Sequence, residues 1–306
     1  MTPALQDIIA TEARRDTFPA AQAFAAHLVK RYGPATAAVV FYGSCLRQNT
    51  DHGLMLDFYV LVDNYTAALR NRSSALFARL LPPNVYYIER PFEGRIVRAK
   101  VAVMAVNQFL RAVGPSAFAS SVWARFAQPA LVLHARNDEI RRRVEAGLAT
   151  AIETMILNVK PLLPAPYTAH ALWVRAFRET YGAELRPEKD HKAAELVEAE
   201  RARYEAAAAA VLGPPDADGK YHEVTPEAER QRAARAWRSR RAVGKTLNAL
   251  RLIKAAFTFQ GGLDYAVWKI ERHSGVKIEL SNDERKRPLR TGLKLFFKTL
   301  ERGGLR

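Results

Sequence analysis

Runs of apolar residues and stretches of helical spacing divide this chain into a strand-rich first third and a helical remainder. Residues 37–42 form an unbroken apolar run, the pattern of a buried strand, and residues 55–62 form a second, rich in Val, Leu, Phe and Tyr. Residues 85–89 and 95–104 predict two further strands, joined through Pro91 to Gly94, and residues 130–134 predict a weaker fifth. Helical spacing marks residues 18–31, then 65–81 up to the stop at Pro82-Pro83, and a stretch near 117–126. Beyond Asn137-Asp138 the pattern turns helical: residues 139–159, 167–181 and the charged span 187–212. Gly213-Pro214-Pro215-Asp216-Ala217-Asp218-Gly219 predicts a linker. A basic helix follows over 227–259, broken by Gly261-Gly262, resuming over 263–273, and the chain closes on a short basic amphipathic helix over 289–300.

The expected fold class is α+β. A small mixed sheet with helices occupies residues 1–112, a mainly helical domain that completes a cleft occupies 113–212, and a linker with a basic helical region occupies 213–306. With 306 residues and 49% hydrophobic content, the chain has enough material for a substantial core. Its one cysteine, Cys45, excludes an internal disulfide and a Cys-based zinc site, which fits a reducing compartment. Residues 1–16 carry charges and no long apolar run, so no secretory signal is expected, and no stretch reaches the ~20 apolar residues needed to span a bilayer. A net charge of +16 points to polyanions: nucleotides, nucleic acid or anionic lipid. The excess concentrates at the end, where residues 285–306 hold eight basic residues and one acidic one.

Candidate chemistry centres on Phe41-Tyr42-Gly43-Ser44 and the strand that opens Met55-Leu56-Asp57-Phe58. A glycine at a strand end lets backbone approach phosphates closely, and the Ser44 hydroxyl and nearby N–H groups can donate to them. A carboxylate opening the next strand can hold Mg²⁺, a hard cation that prefers oxygen. Nucleotidyltransferases of the DNA polymerase β-like type use this arrangement, usually with two carboxylates one residue apart on the second strand. Here Tyr59 takes the place of the second. Asp63 lies six residues on, roughly 20 Å along a strand, too far to share a metal. A second ligand has to come from another strand; Glu89 and Glu93 are the nearest candidates, and Glu89 is the working choice. Arg95 and Arg98 are candidates to neutralise triphosphate charge, but three positions apart on one strand they face opposite ways.

These motifs, in this order, resemble those of the mitochondrial-type phosphatidate cytidylyltransferases, the CDP-diacylglycerol synthases first known for maintaining a mitochondrial protein translocator. Tyr42-Gly43-Ser44-Cys45, Met55-Leu56-Asp57-Phe58 and Val62-Asp63-Asn64 are similar to that family's successive motifs. So are Asn71-Arg72-Ser73, Val85-Tyr86-Tyr87 and Gly94-Arg95-Ile96-Val97-Arg98. Looser likeness extends to Ala124-Arg125-Phe126-Ala127-Gln128-Pro129 and Thr180-Tyr181-Gly182-Ala183-Glu184-Leu185-Arg186. The likeness covers roughly residues 38–190. The family also has a single Asp in its Met-Leu-Asp-Phe element. Cys45 stands where it commonly has Gly, and Glu184 where it has Asp.

The resemblance implies Mg²⁺-dependent cytidylyl transfer from CTP to phosphatidic acid, yielding CDP-diacylglycerol and pyrophosphate. It implies Asp57 as metal ligand, Gly43 and Ser44 at the phosphates, and Arg98 ahead of Arg95 for the triphosphate. Tyr181, Glu184, Arg186 and Arg125 would face the lipid phosphate. Because a lipid substrate stays in the bilayer, the enzyme is expected to be cytoplasmic and peripheral, on the inner face of a membrane. Leu293, Phe296 and Phe297, with Lys294 and Lys298 beside them, suit an amphipathic helix lying at an anionic surface, and packing on the protein body is the alternative. Transfer to RNA, protein or a small metabolite, and a non-catalytic basic adaptor, are competing readings. The chain carries no zinc-finger or RNP-type signature, so no stable nucleic-acid partner is expected.

Overall fold

The computed structural model describes residues 2–69, 72–184 and 191–258. The expected α+β class holds: five strands form one mixed sheet, and helices cover both faces. The strands are β1 (Thr36–Tyr42), β2 (Leu56–Val62), β3 (Asn84–Phe92), β4 (Arg95–Ala105) and β5 (Ala130–Ala135). They lie in the order β3-β4-β2-β1-β5. β1 is antiparallel to β2 and β5, β3 is antiparallel to β4, and the central pair β2 and β4 runs parallel. β1 is buried along its whole length, as an apolar run without alternation requires when helices cover both faces. A two-stranded ribbon, β6 (Tyr167–Thr168) with β7 (Lys220–Tyr221), lies outside this sheet.

The helices of the first half are α1 (Pro3–Ala13), α2 (Pro19–Tyr32), α3 (Ser44–Gln48), α4 (Tyr65–Ala68), α5 (Arg72–Leu80), α6 (Val106–Val113) and α7 (Trp123–Phe126). Those that follow are α8 (Asp138–Val159), α9 (Ala169–Gly182), α10 (His191–Ala199), α11 (Arg201–Leu212) and α12 (Glu227–Thr258). On one face of the sheet, Phe24 of α2 stacks on Phe58 at 5.6 Å between ring centroids, and Phe58 meets Phe41 at 5.1 Å. On the other face, Tyr42, Tyr59, Leu61, Ala102 and Val132 join a larger core built with α1, α7, α8, α9 and α11. That core also contains Trp237 of α12, which is 0% exposed and donates its indole N–H to Asn158 O at 2.9 Å. The basic helix expected to belong to a separate tail is therefore bound into the same core as Leu5 and Tyr59.

Several expected elements change on folding. The span 65–81 contains two short helices, because Leu69 adopts extended backbone after α4. The helix expected near 117–126 is only the short α7, while α6 continues directly out of β4. Tyr167 and Thr168 leave the predicted helix to pair with β7, and the Thr168 hydroxyl accepts from Ala171 N at 3.2 Å to cap α9. The span 187–212 contains α10 and α11, separated at Glu200. The expected linker is a turn, in which the Asp216 carboxylate accepts from the N–H groups of Asp218 and Lys220. Helix α1, unanticipated, is held by a buried ion pair: Glu12 takes Arg203 of α11, which also donates to Ala127 O at 2.9 Å. Among the described residues no helix is long and apolar enough to cross a membrane. Leu293, Lys294, Phe296, Phe297 and Lys298, and the elements expected beyond residue 259, lie outside the described residues, as does Arg186.

Candidate active site

The sheet brings Gly43 and Asp57 together. Tyr42 and Asp57 are register partners on β1 and β2, and at Gly43 the chain leaves β1 with φ 94°. That positive φ favours glycine, and a larger residue would have to displace the Asp57 side chain. A Cβ built on Gly43 would lie 2.6 Å from Asp57 Oδ2. The Asp57 carboxylate is thus laid against bare backbone, and Ser44 follows immediately as the first residue of α3. Cys45, the next residue of α3, does not crowd this space. Its side chain is fully buried in the core on the opposite face of the sheet, and its thiol donates to Met55 O at 3.1 Å.

Strand alternation selects which other groups share the Asp57 face. In the parallel pair, Asp57 is opposite Lys100, and Lys100 is opposite Tyr87 on β3. Two residues along, Arg98 is opposite Glu89. Lys100, Arg98, Tyr87 and Glu89 therefore line the face of Asp57. Arg98 Nε donates to Glu89 Oε1 at 3.0 Å, and the Tyr87 hydroxyl donates to the same oxygen at 2.6 Å. Burial, and then the bond to Glu89, raise the Tyr87 pKa.

Arg95 projects from the other face and pairs with the buried Asp51, with Nη2 3.1 Å from Oδ1, so of the two arginines only Arg98 shares the Asp57 face. Glu89 sits two strands from Asp57, about 10 Å across the sheet, and is engaged by Arg98 and Tyr87. Glu93 occupies the exposed β3–β4 turn, and Asp63 pairs with Arg136 at the far end of β2. Among the described residues no three His, Cys, Asp or Glu side chains group to hold a metal. A site with one carboxylate still suits Mg²⁺, which is commonly held by one or two carboxylates together with substrate phosphates and water.

The helical layer adds the remaining charges. Arg125 of α7 donates through Nη1 to the Tyr59 hydroxyl at 3.3 Å and to Ser121 O at 3.0 Å, and it lies over the Tyr42 ring. Burial opposes its charge, but Tyr59, Tyr42, Glu184 and Asp57 outweigh that and hold its pKa above the ordinary arginine value. Arg125 is thus within the field of both Asp57 and Glu184. Glu184 follows α9 in the turn where its N–H bonds Tyr181 O at 3.0 Å. Helix α12 crosses this turn at Gly244, where a Cβ would fall 2.3 Å from Ala183 O.

Seven residues after that crossing, Arg251 donates to Pro82 O at 3.2 Å and to Ser121 Oγ at 3.0 Å. Burial lowers the Arg251 pKa and Arg125 lowers it further, while Tyr59 and Glu184 oppose the shift. Lys100 and Arg251 were not singled out from sequence. Lys100 is recognisable only once the β2–β4 register is known. For Arg251 the available sign was Gly244, a lone glycine inside a helical pattern, which often marks close packing.

No protein-family model matches the chain, and no curated protein matches it.

Proposed function

We propose that this chain is a nucleotidyltransferase, specifically one that transfers a cytidylyl group from CTP to phosphatidic acid. The observation that carries the reading is the contact between Gly43 and Asp57. Backbone that only glycine can provide lies against a carboxylate, on a sheet face that also carries Lys100 and Arg98 and is approached by Arg125. The cytidine and lipid specificity rest on the motif resemblance alone.

In this reading a phosphate oxygen of the acceptor attacks the α-phosphorus of the triphosphate. One P–O bond forms, the α–β bridging P–O bond breaks, and its electron pair leaves with pyrophosphate. The nucleophile is already anionic, so no strong general base is needed. The protein's task is to bring two anions together and to hold the charge that develops on the leaving group. Ser44 and the N–H groups about Gly43 hold the β- and γ-phosphates. Arg98 and Lys100 offset triphosphate charge from the sheet. Arg125, with Tyr181 and Glu184, serves the acceptor phosphate. Asp57, together with the nucleotide phosphates, would hold Mg²⁺, which supplies charge neutralisation as a Lewis acid when bound.

The test incubates purified protein with each labelled nucleoside triphosphate, Mg²⁺ and phosphatidic acid in detergent. The expected result is conversion with CTP alone, and only in the presence of lipid. Turnover that ignores the lipid would replace this reading with transfer to another acceptor. Asp57→Asn is expected to lower turnover a hundredfold or more, by the order of magnitude seen when charge-stabilising groups are removed (~10²). Its melting temperature should stay close to that of the parent. An unchanged rate in that variant would remove the catalytic reading altogether.

A further inference from the structure

We propose that Arg251 of α12 is the second arginine of a clamp, shared with Arg125, that holds the phosphomonoester group of the acceptor molecule. The inference rests on the nucleotidyl-transfer reading above and adds a residue to it from a part of the chain far from the motifs.

The two arginines are separated by more than a hundred positions in sequence, and Ser121 joins them in space. Arg125 Nη1 donates to its backbone oxygen at 3.0 Å, and Arg251 Nη1 donates to its hydroxyl at 3.0 Å. Their other anchors are the Tyr59 hydroxyl and Pro82 O. All four oxygens are neutral. Several other arginines are tied to carboxylates, as Arg95 is to Asp51, Arg98 to Glu89 and Arg136 to Asp63, while Arg47, Arg143 and Arg240 also bond neutral oxygens. What sets Arg125 and Arg251 apart is that both are anchored on one residue, Ser121. The bonds that orient the Arg125–Arg251 pair are to neutral oxygens, with Glu184 acting on both arginines and Asp57 on Arg125 through their fields. Both arginines are largely covered but retain some exposure. The anchoring bonds use Nη1 of Arg125, and Nε and Nη1 of Arg251, so the Nη2 group of each is the part these bonds leave unused.

Two planar guanidinium forks anchored on one serine suit a tetrahedral dianion, because a phosphomonoester carries nearly two negative charges and accepts several N–H bonds at once. The acceptor side is favoured over the triphosphate by position. Arg251 stands on α12, shares Ser121 with Arg125 and lies in the field of Glu184, two of the residues assigned above to the acceptor, whereas Gly43, Ser44, Lys100 and Arg98 belong to the ends and face of the sheet. Held there, the acceptor's phosphate oxygen is presented to the α-phosphorus with its own charge offset.

Binding of glycerol 3-phosphate, a soluble phosphomonoester, is measured by calorimetry without nucleotide on the parent protein, Arg251→Gln and Arg251→Lys. In parallel, KM is determined for phosphatidic acid and for CTP. The parent is expected to bind the phosphomonoester and Arg251→Gln to bind it about ten- to a hundredfold more weakly, the worth of one charged hydrogen-bonding group. In Arg251→Gln the KM for phosphatidic acid should rise by a similar factor, with the KM for CTP within about twofold of the parent. Arg251→Lys should recover part of the loss, and all three proteins should melt alike.

A parent that binds no phosphomonoester, a Gln variant that binds it equally well, or a rise confined to the KM for CTP each overturns the clamp. Parent turnover with CTP and phosphatidic acid judges the underlying reaction separately. An active parent with an indifferent Arg251→Gln removes the clamp and leaves the reaction standing.

Discussion

Gly43 combines two demands that are usually separate. Its φ of 94° is strained for any residue with a Cβ, and the carboxylate of Asp57 occupies the space a Cβ would need. Gly213 provides the comparison, since it has φ 87° and nothing within 4 Å of a built Cβ. Gly213→Ala should cost only backbone strain, on the order of 1 kcal/mol. Gly43→Ala should cost that plus the displacement of Asp57, about 1–3 kcal/mol in all, and should abolish turnover with it. Chemical denaturation of both variants alongside a turnover assay checks this, and equal losses of stability would show that the Asp57 contact costs nothing. Gly43, Ser44 and Asp57 were legible in the sequence because Gly43-Ser44 closes one apolar run and Asp57 opens the next, on strands that are consecutive in the chain. Lys100 was not, because its place beside Asp57 depends on a parallel pairing across an intervening hairpin strand.

Among the elements, α12 departs furthest from expectation. A charged helix near the end of the chain looks from its sequence like a solvated arm, yet Trp237 is buried and Gly244 packs directly on the backbone at Ala183. Gly244→Ala sets two effects against each other. Replacing an interior helical glycine by alanine gains about 1 kcal/mol of helix propensity. A Cβ 2.3 Å from a carbonyl oxygen forces the α9–α12 crossing open, and overpacking of that kind costs about 1–3 kcal/mol. The clash should win, because its partner is backbone and cannot rotate away. The melting temperature should fall, and the KM for acceptor should rise because Arg251 lies about two turns further along the same helix. A melting temperature above the parent's would mean that the crossing is looser than its geometry implies. Elsewhere, periodicity located helices well and divided them poorly, as at Leu69 and Glu200, which leave helical backbone without a proline or glycine to announce it.

For the whole molecule, two histidines link folding to pH. Burial lowers the pKa of His27, with Arg90, Arg31 and Lys30 adding to the effect, and burial followed by Arg141 lowers that of His134. Both are therefore harder to protonate folded than unfolded. The unfolded chain takes up protons first as pH falls through the ordinary value near 6.5, so stability is full above that value and declines below it. Melting temperatures recorded between about pH 5 and 8 should fall on the acid side, and a His27→Gln, His134→Gln variant should show a flatter profile. A parent whose curve is as flat as the variant's would contradict the assignment.

At this scale the division of labour between sequence and tertiary structure is also visible. Sequence alone determined the α+β class and the buried β1 and β2, since alternation and apolar runs are properties of neighbouring residues, and it marked Gly43, Ser44 and Asp57 as candidates whose meeting the β1–β2 register then decided. Tertiary structure decided that Arg98 and not Arg95 shares the Asp57 face with Lys100, that Glu89 is bound to Arg98, and that Arg125, Glu184 and Arg251 converge. Those outcomes depend on which distant surfaces are buried against each other, and a residue's local pattern records that it will be buried without recording its partner.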